Sequence, residues 1–230
     1  GRPVKSRRWV DGTPYDTAST YDMANRVLDL TYPNDSEVVH HTYDAATGAL
    51  TGICQWVSNA CVSGSTYLSG ATYTAAGMPD LLPLGNGMST NYDYDATHPS
   101  RVRSIVTSGV PGTKQNLALT YDKAGNVKTV TDNVATETAT YSYDELDRLT
   151  GGTGFAGGQT AAYAYDKIGN MTRKKEGQLD LTLVYPTSGP GVARPHAATQ
   201  AKFTGTSTAY KDLRYDANGN LCTTTALSYC

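Results

Sequence analysis

The sequence predicts an all-β protein, an antiparallel ribbon of stacked β-hairpins built from one small repeating unit. Three observations carry this reading. A phrase recurs in register as Tyr121-Asp122-Lys123-Ala124-Gly125-Asn126-Val127, Tyr143-Asp144-Glu145-Leu146-Asp147-Arg148-Leu149 and Tyr165-Asp166-Lys167-Ile168-Gly169-Asn170-Met171, with its tyrosines 22 residues apart. A fixed period of this size marks an array of equivalent units. The runs beside each phrase, such as Leu117-Ala118-Leu119-Thr120-Tyr121 and Val127-Lys128-Thr129-Val130-Thr131, alternate and are rich in Thr, Val and Tyr, which is the strand signal. No segment combines helical periodicity with a start and a stop signal.

Along the chain, residues 1–116 hold degenerate copies at Tyr21-Asp22-Met23-Ala24-Asn25-Arg26-Val27, Tyr43-Asp44-Ala45-Ala46-Thr47-Gly48-Ala49-Leu50 and Tyr94-Asp95-Ala96-Thr97-His98-Pro99-Ser100-Arg101-Val102. Residues 117–176 hold the regular repeats. Residues 177–230 hold a loop excursion and a final copy, Tyr215-Asp216-Ala217-Asn218-Gly219-Asn220-Leu221, and the whole of 1–230 reads as one array. In each phrase the aspartate can accept bonds from amides two residues on, and Gly125 or Gly169 can take the positive φ that closes the loop. This predicts a hairpin with a short type I turn and a bulge. One period fits two strands of about seven or eight residues and two turns, so one repeat is one hairpin and the chain holds roughly ten of them.

Tyrosines two apart, Tyr92/Tyr94, Tyr141/Tyr143 and Tyr163/Tyr165, share a strand face and are expected to form ladders across the sheet. Seventeen tyrosines against two phenylalanines suit an aromatic but half-wet surface rather than an oily core. The cluster Gly151-Gly152-Thr153-Gly154-Phe155-Ala156-Gly157-Gly158 is followed by no Gly-Lys-Ser/Thr and reads as a flexible inter-strand loop, not a phosphate cradle. Pro186-Thr187-Ser188-Gly189-Pro190-Gly191-Val192-Ala193-Arg194-Pro195 reads as a surface excursion that interrupts the period.

A net charge of −2 with 17% charged residues is too mild for a nucleic-acid or acidic-membrane partner. Arg2, Lys5, Arg7 and Arg8 form a local basic patch that reads as a solvated strand end. No apolar run is long enough to span a membrane. The cysteines fall as two local pairs, Cys54/Cys61 and Cys222/Cys230, each around a stretch short enough to fold back as a hairpin. Disulfides between facing positions are the favoured reading and imply an oxidising compartment; free thiols are the alternative, and zinc is disfavoured because neither spacing is Cys-x-x-Cys.

Catalysis finds little footing. Asp122, Asp144, Asp166 and Asp216 occupy one place in the repeat, where a turn cap is the simpler role. His40 and His41 are adjacent on a strand and leave opposite faces; His98 and His196 lie in loops. The chain is expected to be no enzyme and to need no cofactor or metal. Asn34-Asp35-Ser36 and Asn170-Met171-Thr172 match the glycosylation sequon, a short pattern that carries no weight here.

On the Tyr-Asp-x-x-Gly-Asn/Arg phrase, the chain resembles the Rhs and YD-repeat family over nearly its whole length. Leu84-Gly85-Asn86-Gly87-Met88 ahead of Tyr92-Asp93-Tyr94-Asp95, and Pro195-His196-Ala197 ahead of Tyr215-Asp216, look like further recurring pieces of that family. The resemblance implies a ribbon that curls into part of a hollow shell, exported from a bacterium, with a C-terminal toxin enclosed. It implies as partners the remainder of the parent shell and its cargo, with self-association through sheet edges as a further expectation. The family's Asp-Pro-x-Gly protease segment has no counterpart, because the chain contains no Asp-Pro. Gly1-Arg2-Pro3 reads like the second half of a turn phrase, so a piece of a longer protein is expected. The alternative reading is an extracellular adhesin whose tyrosines stack on carbohydrate.

Overall fold

The structure, a computed structural model, describes residues 1–33, 36–155, 158–187, 189–216 and 218–222. The described residues form strands and turns, with no helix among them. Cys230 and the Asn34-Asp35 part of the first sequon lie outside the described residues.

The chain divides into two compact units. The first comprises Gly1–Leu119 and Asp132–Thr136. Its first sheet runs in sequence order through β1 (Lys5–Val10), β2 (Thr13–Tyr21), β3 (Val27–Thr31), β4 (Val38–Tyr43), β5 (Leu50–Val57) and β6 (Ala60–Ser69), each antiparallel to the next. A second run continues with β7 (Thr72–Tyr73), β8 (Pro79–Pro83), β9 (Met88–Tyr94), β10 (Val102–Gly109) and β11 (Gly112–Tyr121), again in order. The two runs meet where Leu68 bridges Leu84 and the Gly85 amide donates to the Tyr67 carbonyl at 3.0 Å. A Cβ on Gly85 would stand 1.4 Å from the Thr66 carbonyl oxygen, so only glycine fits this approach.

The second unit comprises Thr120–Thr131 and Glu137–Cys230. It holds β12 (Val127–Asp132), β13 (Glu137–Tyr143), β14 (Leu149–Phe155), β15 (Gln159–Tyr165), β16 (Met171–Glu176), β17 (Leu179–Val184), β18 (Gln200–Phe203) and β19 (Ala209–Asp212), ordered as in the sequence. Each strand from β13 onward pairs antiparallel with the next.

Every pairing is between consecutive strands, most of them joined by tight turns and β17 and β18 by residues 185–199, and little apolar volume is enclosed. The buried apolar residues are small or medium in size, Val39, Cys54, Leu68, Ala71, Ala161, Leu181, Ala198 and Ala201, and no large side chain among the described residues is fully buried. Backbone hydrogen bonding and cross-strand pairs must therefore carry more of the stability than core burial does.

The glycine cluster corrects the sequence reading. Gly151 and Gly152 are not loop residues but lie in β14, opposite Ala162 and Ala161 of β15. A Cβ on Gly151 would stand 3.0 Å from the Ala161 carbonyl, and one on Gly154 only 1.9 Å from the Thr138 carbonyl. The glycines mark close backbone approach inside the sheet rather than flexibility.

Candidate functional site: a spine of linked turns

Five copies of the repeat phrase, at Asp22, Asp122, Asp144, Asp166 and Asp216, fold into one turn built the same way, whereas Asp44 and Asp95 close longer loops whose Asp amides donate to the Ala49 carbonyl at 2.8 Å and the Arg101 carbonyl at 2.9 Å. In Tyr143–Leu149 the Asp144 amide donates to the Arg148 carbonyl at 3.0 Å, and the Asp147 amide returns to the Asp144 carbonyl at 3.0 Å. Asp144 Oδ1 accepts from the amides of Leu146 and Arg148, each at 3.0 Å, and Oδ2 accepts from Arg148 Nε at 2.7 Å. Asp22, Asp166 and Asp216 repeat this pattern, and Asp122 differs only in that one Oδ1 donor is Gly125. The fourth residue of these five turns is left-handed, with φ of 103° at Gly125, 92° at Gly169, 87° at Gly219, 67° at Asn25 and 58° at Asp147. Asn and Asp tolerate this region where bulkier residues do not. Beyond the turn the register slips by one, so that Tyr143 faces Leu149 while Ser142 faces Gly151, and Tyr165 faces Met171 while Ala164 faces Arg173. This is a β-bulge at a constant place in the unit.

These bonds set the carboxylate chemistry. The Arg148 guanidinium, with the amides of Arg148 and Leu146, holds Asp144 below the usual carboxylate range. The Asn220 side chain and amide do the same for Asp216, and the Arg26 amide leads for Asp22. At Asp122 and Asp166 burial pushes upward, but the bonds from Asn126 and Asn170 outweigh it and the net direction is down.

The phrase tyrosine links one repeat to the one before. Tyr143 Oη donates to the Val127 carbonyl at 2.9 Å, Tyr165 to Leu149 at 2.9 Å, Tyr43 to Val27 at 2.7 Å, Tyr94 to Pro79 at 2.7 Å and Tyr21 to Pro3 at 2.8 Å. The acceptor in each case is the first residue after the preceding turn. Tyr215 donates to Ala198 at 3.0 Å. Burial raises the phenol pKa of Tyr43, Tyr94, Tyr143 and Tyr185.

The last turn residue reaches forward. Arg148 lies over the Tyr165 ring at 4.7 Å and donates to the Asp166 carbonyl at 3.3 Å. Arg26 lies over Tyr43 at 4.3 Å and donates to the Gly48 carbonyl at 3.1 Å. Arg2 lies over Tyr21 at 4.9 Å and donates to the Asp22 carbonyl at 3.3 Å, the same pair of contacts that Arg148 makes. Where asparagine replaces arginine the link persists, with Asn126 Nδ2 2.7 Å from Asp147 Oδ1 and Asn170 Nδ2 3.1 Å from the Pro195 carbonyl. His196 Nδ1 is 2.8 Å from Asn170 Oδ1, and Arg194 Nη2 donates to the Asp216 carbonyl at 2.8 Å. The excursion thus carries the spine from the Asp166 turn to the Asp216 turn.

Sequence reasoning missed two members. Thr74-Ala75-Ala76-Gly77-Met78 forms the same turn with threonine in place of aspartate, its Thr74 amide 2.8 Å from the Met78 carbonyl, Gly77 at φ 77° and Tyr73 Oη 2.7 Å from the Leu50 carbonyl. Tyr185 behaves as a phrase tyrosine, donating to Met171 at 3.0 Å although Pro186 follows it. A tyrosine four residues before a glycine would have found the first; nothing local marks the second.

The remaining candidates fall outside the spine. Cys54 and Cys61 form a disulfide with a Cα–Cα distance of 5.6 Å. They are not facing residues: Cys54 opposes Thr66, and Cys61 opposes Trp56. The Cys222/Cys230 pair cannot be followed because Cys230 lies outside the described residues. Within the basic patch Lys5 is 2.9 Å from Asp16 and Arg7 is bidentate on the same carboxylate. Among the described residues no group of three or more His, Cys, Asp or Glu is placed to hold a metal ion, and no helix is long and apolar enough to cross a membrane.

Residues 121–160 match the RHS repeat family model. That segment carries the RHS repeat. Comparison with solved structures places the chain in the same fold as the crystal structure of TcdB2-TccC3-Cdc42, at TM-score 0.66 and 22% identity over 92% of the chain. The crystal structure of TcdB2-TccC3 without its hypervariable C-terminal region gives the same values, and the Photorhabdus luminescens Tc holotoxin pore gives 0.66 and 21% over 90%. The chain spans 12% of the length of each of these chains. Comparison with curated proteins finds no match.

Proposed function

We propose that this RHS-repeat chain is a wall segment of an Rhs-type shell, whose work is containment of a toxin that lies elsewhere in an exported parent protein. The observation that carries the reading is the spine: the turns of Asp22, Asp122, Asp144 and Asp166 grip their own strand ends through aspartate and reach forward along the chain through Arg26, Asn126, Arg148 and Asn170. A wall of this kind extends repeat by repeat without a central core, which suits a shell far larger than the segment itself. Its partners are then the other repeats of the parent shell and the cargo.

The adhesin reading draws less support. The phrase tyrosines spend their hydroxyls on backbone carbonyls, and Tyr21, Tyr43 and Tyr165 each carry an arginine over the ring. These rings are poor platforms for a sugar.

The test is protease protection in the parent protein. Cargo should resist digestion in the intact parent and become cleavable when Arg148→Ala and Asn170→Ala break the spine. Cargo digested equally fast in both would overturn containment.

A further inference from the structure

Away from the spine, a row of polar side chains crosses the first sheet of the amino-terminal unit, one per strand. Thr20 on β2 donates to Asp29 Oδ2 on β3 at 2.7 Å, and His40 Nδ1 on β4 lies 2.7 Å from Asp29 Oδ1. His40 is the register partner of Cys54 on β5. Directly opposed residues share a face with Cβ atoms about 5 Å apart, so His40 and Cys54 stand side by side on one face of the sheet. Trp56, two residues from Cys54, stacks on the His40 ring at 4.0 Å and fixes its plane.

The two sulfurs differ in access. Cys54 is 3% exposed, whereas Cys61 belongs to the exposed end of β6. A cavity of about 290 Å³ opens beside the bond, lined by Thr42, Ile53, Thr66 and Leu68 as well as both cysteines. The disulfide also closes a gap in the ladder. Because Cys54 opposes Thr66 and Trp56 opposes Cys61, the single residue Gln55 faces the four residues 62–65 of β6. Backbone pairing is broken there, and the covalent bond holds the two strands together.

We propose that Cys54–Cys61 is a thiol-exchange site, open to a small-molecule thiol such as glutathione from the Cys61 side. The incoming thiolate attacks Cys61 Sγ, a new S–S bond forms, and the Cys54–Cys61 bond breaks with its electron pair going to Cys54 Sγ. His40, held by the Asp29 carboxylate, passes a proton to the departing sulfur, and solvent restores that proton. A proton donor beside a leaving thiolate is the arrangement that speeds such a step. A second thiol then attacks the mixed disulfide and frees Cys61. Two thiols become one disulfide, and the protein gains two electrons and two protons. Reduction releases the tip of the β5–β6 hairpin, so the wall reads the redox state of its compartment.

The experiment treats the folded chain with glutathione, traps free thiols by alkylation and locates each modification by peptide mass spectrometry. Glutathione should appear on Cys61 with Cys54 alkylated. His40→Gln and Asp29→Asn should each slow reduction on the order of tenfold, while their oxidised forms melt like the parent. Chymotrypsin should cleave after Trp56 in the reduced chain and leave the oxidised chain intact there. Glutathione on Cys54, a disulfide that yields only in denaturant, or an unchanged rate in a folded His40→Gln variant would each overturn the proposal. Should that variant fail to fold, the position of the mixed disulfide in the parent chain decides the matter alone.

Discussion

Tyr143 ends β13 with its hydroxyl 2.9 Å from the Val127 carbonyl, one repeat upstream. Tyr143→Phe keeps the ring and leaves that carbonyl without its donor, which should cost about 1 kcal/mol, read as a lower urea midpoint with an unchanged slope. The same bond has a pH signature. Burial raises the phenol pKa of Tyr143, as it does for Tyr43, Tyr94 and Tyr185. A raised folded pKa means stability that is full below the unfolded value of about 10 and is lost as pH rises through the folded values. Melting temperature should therefore fall above about pH 10 as tyrosinate absorbance appears, with a smaller fall in Tyr143→Phe. The turn aspartates carry the opposite sign. Asp144, Asp216 and Asp22 are depressed by their Arg and Asn partners, so their contribution is present above about pH 4 and lost as pH falls through the lower folded values. Asp144→Asn should weaken the chain near neutrality and flatten the acid limb; an acid limb as steep as that of the parent would refute this role.

At the scale of the turn, Gly169 separates backbone strain from packing. It sits at φ 92°, and a Cβ there would meet nothing within 4 Å. Gly169→Val should destabilise by about 1–2 kcal/mol through strain alone. Gly169→Asn should come close to parent stability, because Asn25 holds φ 67° at the equivalent place. Equal midpoints for the valine and asparagine variants would show that the turn does not require the left-handed residue. This element was legible in the sequence because its chemistry is local: an aspartate capping amides two and four residues on, and a residue that accepts positive φ. The Thr74 turn escaped because a threonine hydroxyl, 3.3 Å from the Met78 amide, replaces the expected carboxylate. Gly151 and Gly154 were misread for a deeper reason. Composition cannot tell a glycine that frees the backbone from one that lets a neighbouring strand come close, and that distinction exists only once Ala161 and Thr138 are in place. Likewise the short spacing of Cys54 and Cys61 pointed to a local clip, while the four-against-one mismatch beneath it depends on register.

For the molecule as a whole, stability must be spread along the ribbon rather than gathered in a centre. No large side chain among the described residues is fully buried, and the links that recur, from Tyr143 to Val127 and from Arg148 to Asp166, reach only to the adjacent repeat. Arrays of this kind behave as sums of unit stabilities and nearest-neighbour terms, so damage stays near its origin. Arg148 is a sharp probe because one side chain caps its own turn through Asp144, covers Tyr165 and reaches the Asp166 carbonyl. Arg148→Ala should raise amide hydrogen exchange several-fold in β13 to β16, where the lost contacts lie, by lowering the cost of local opening. Amides of β2 to β5 belong to the other compact unit and should exchange at the parent rate. A uniform rise across both regions would mean that the chain opens as one cooperative block, and a nearest-neighbour wall would then be the wrong description of how these repeats hold together.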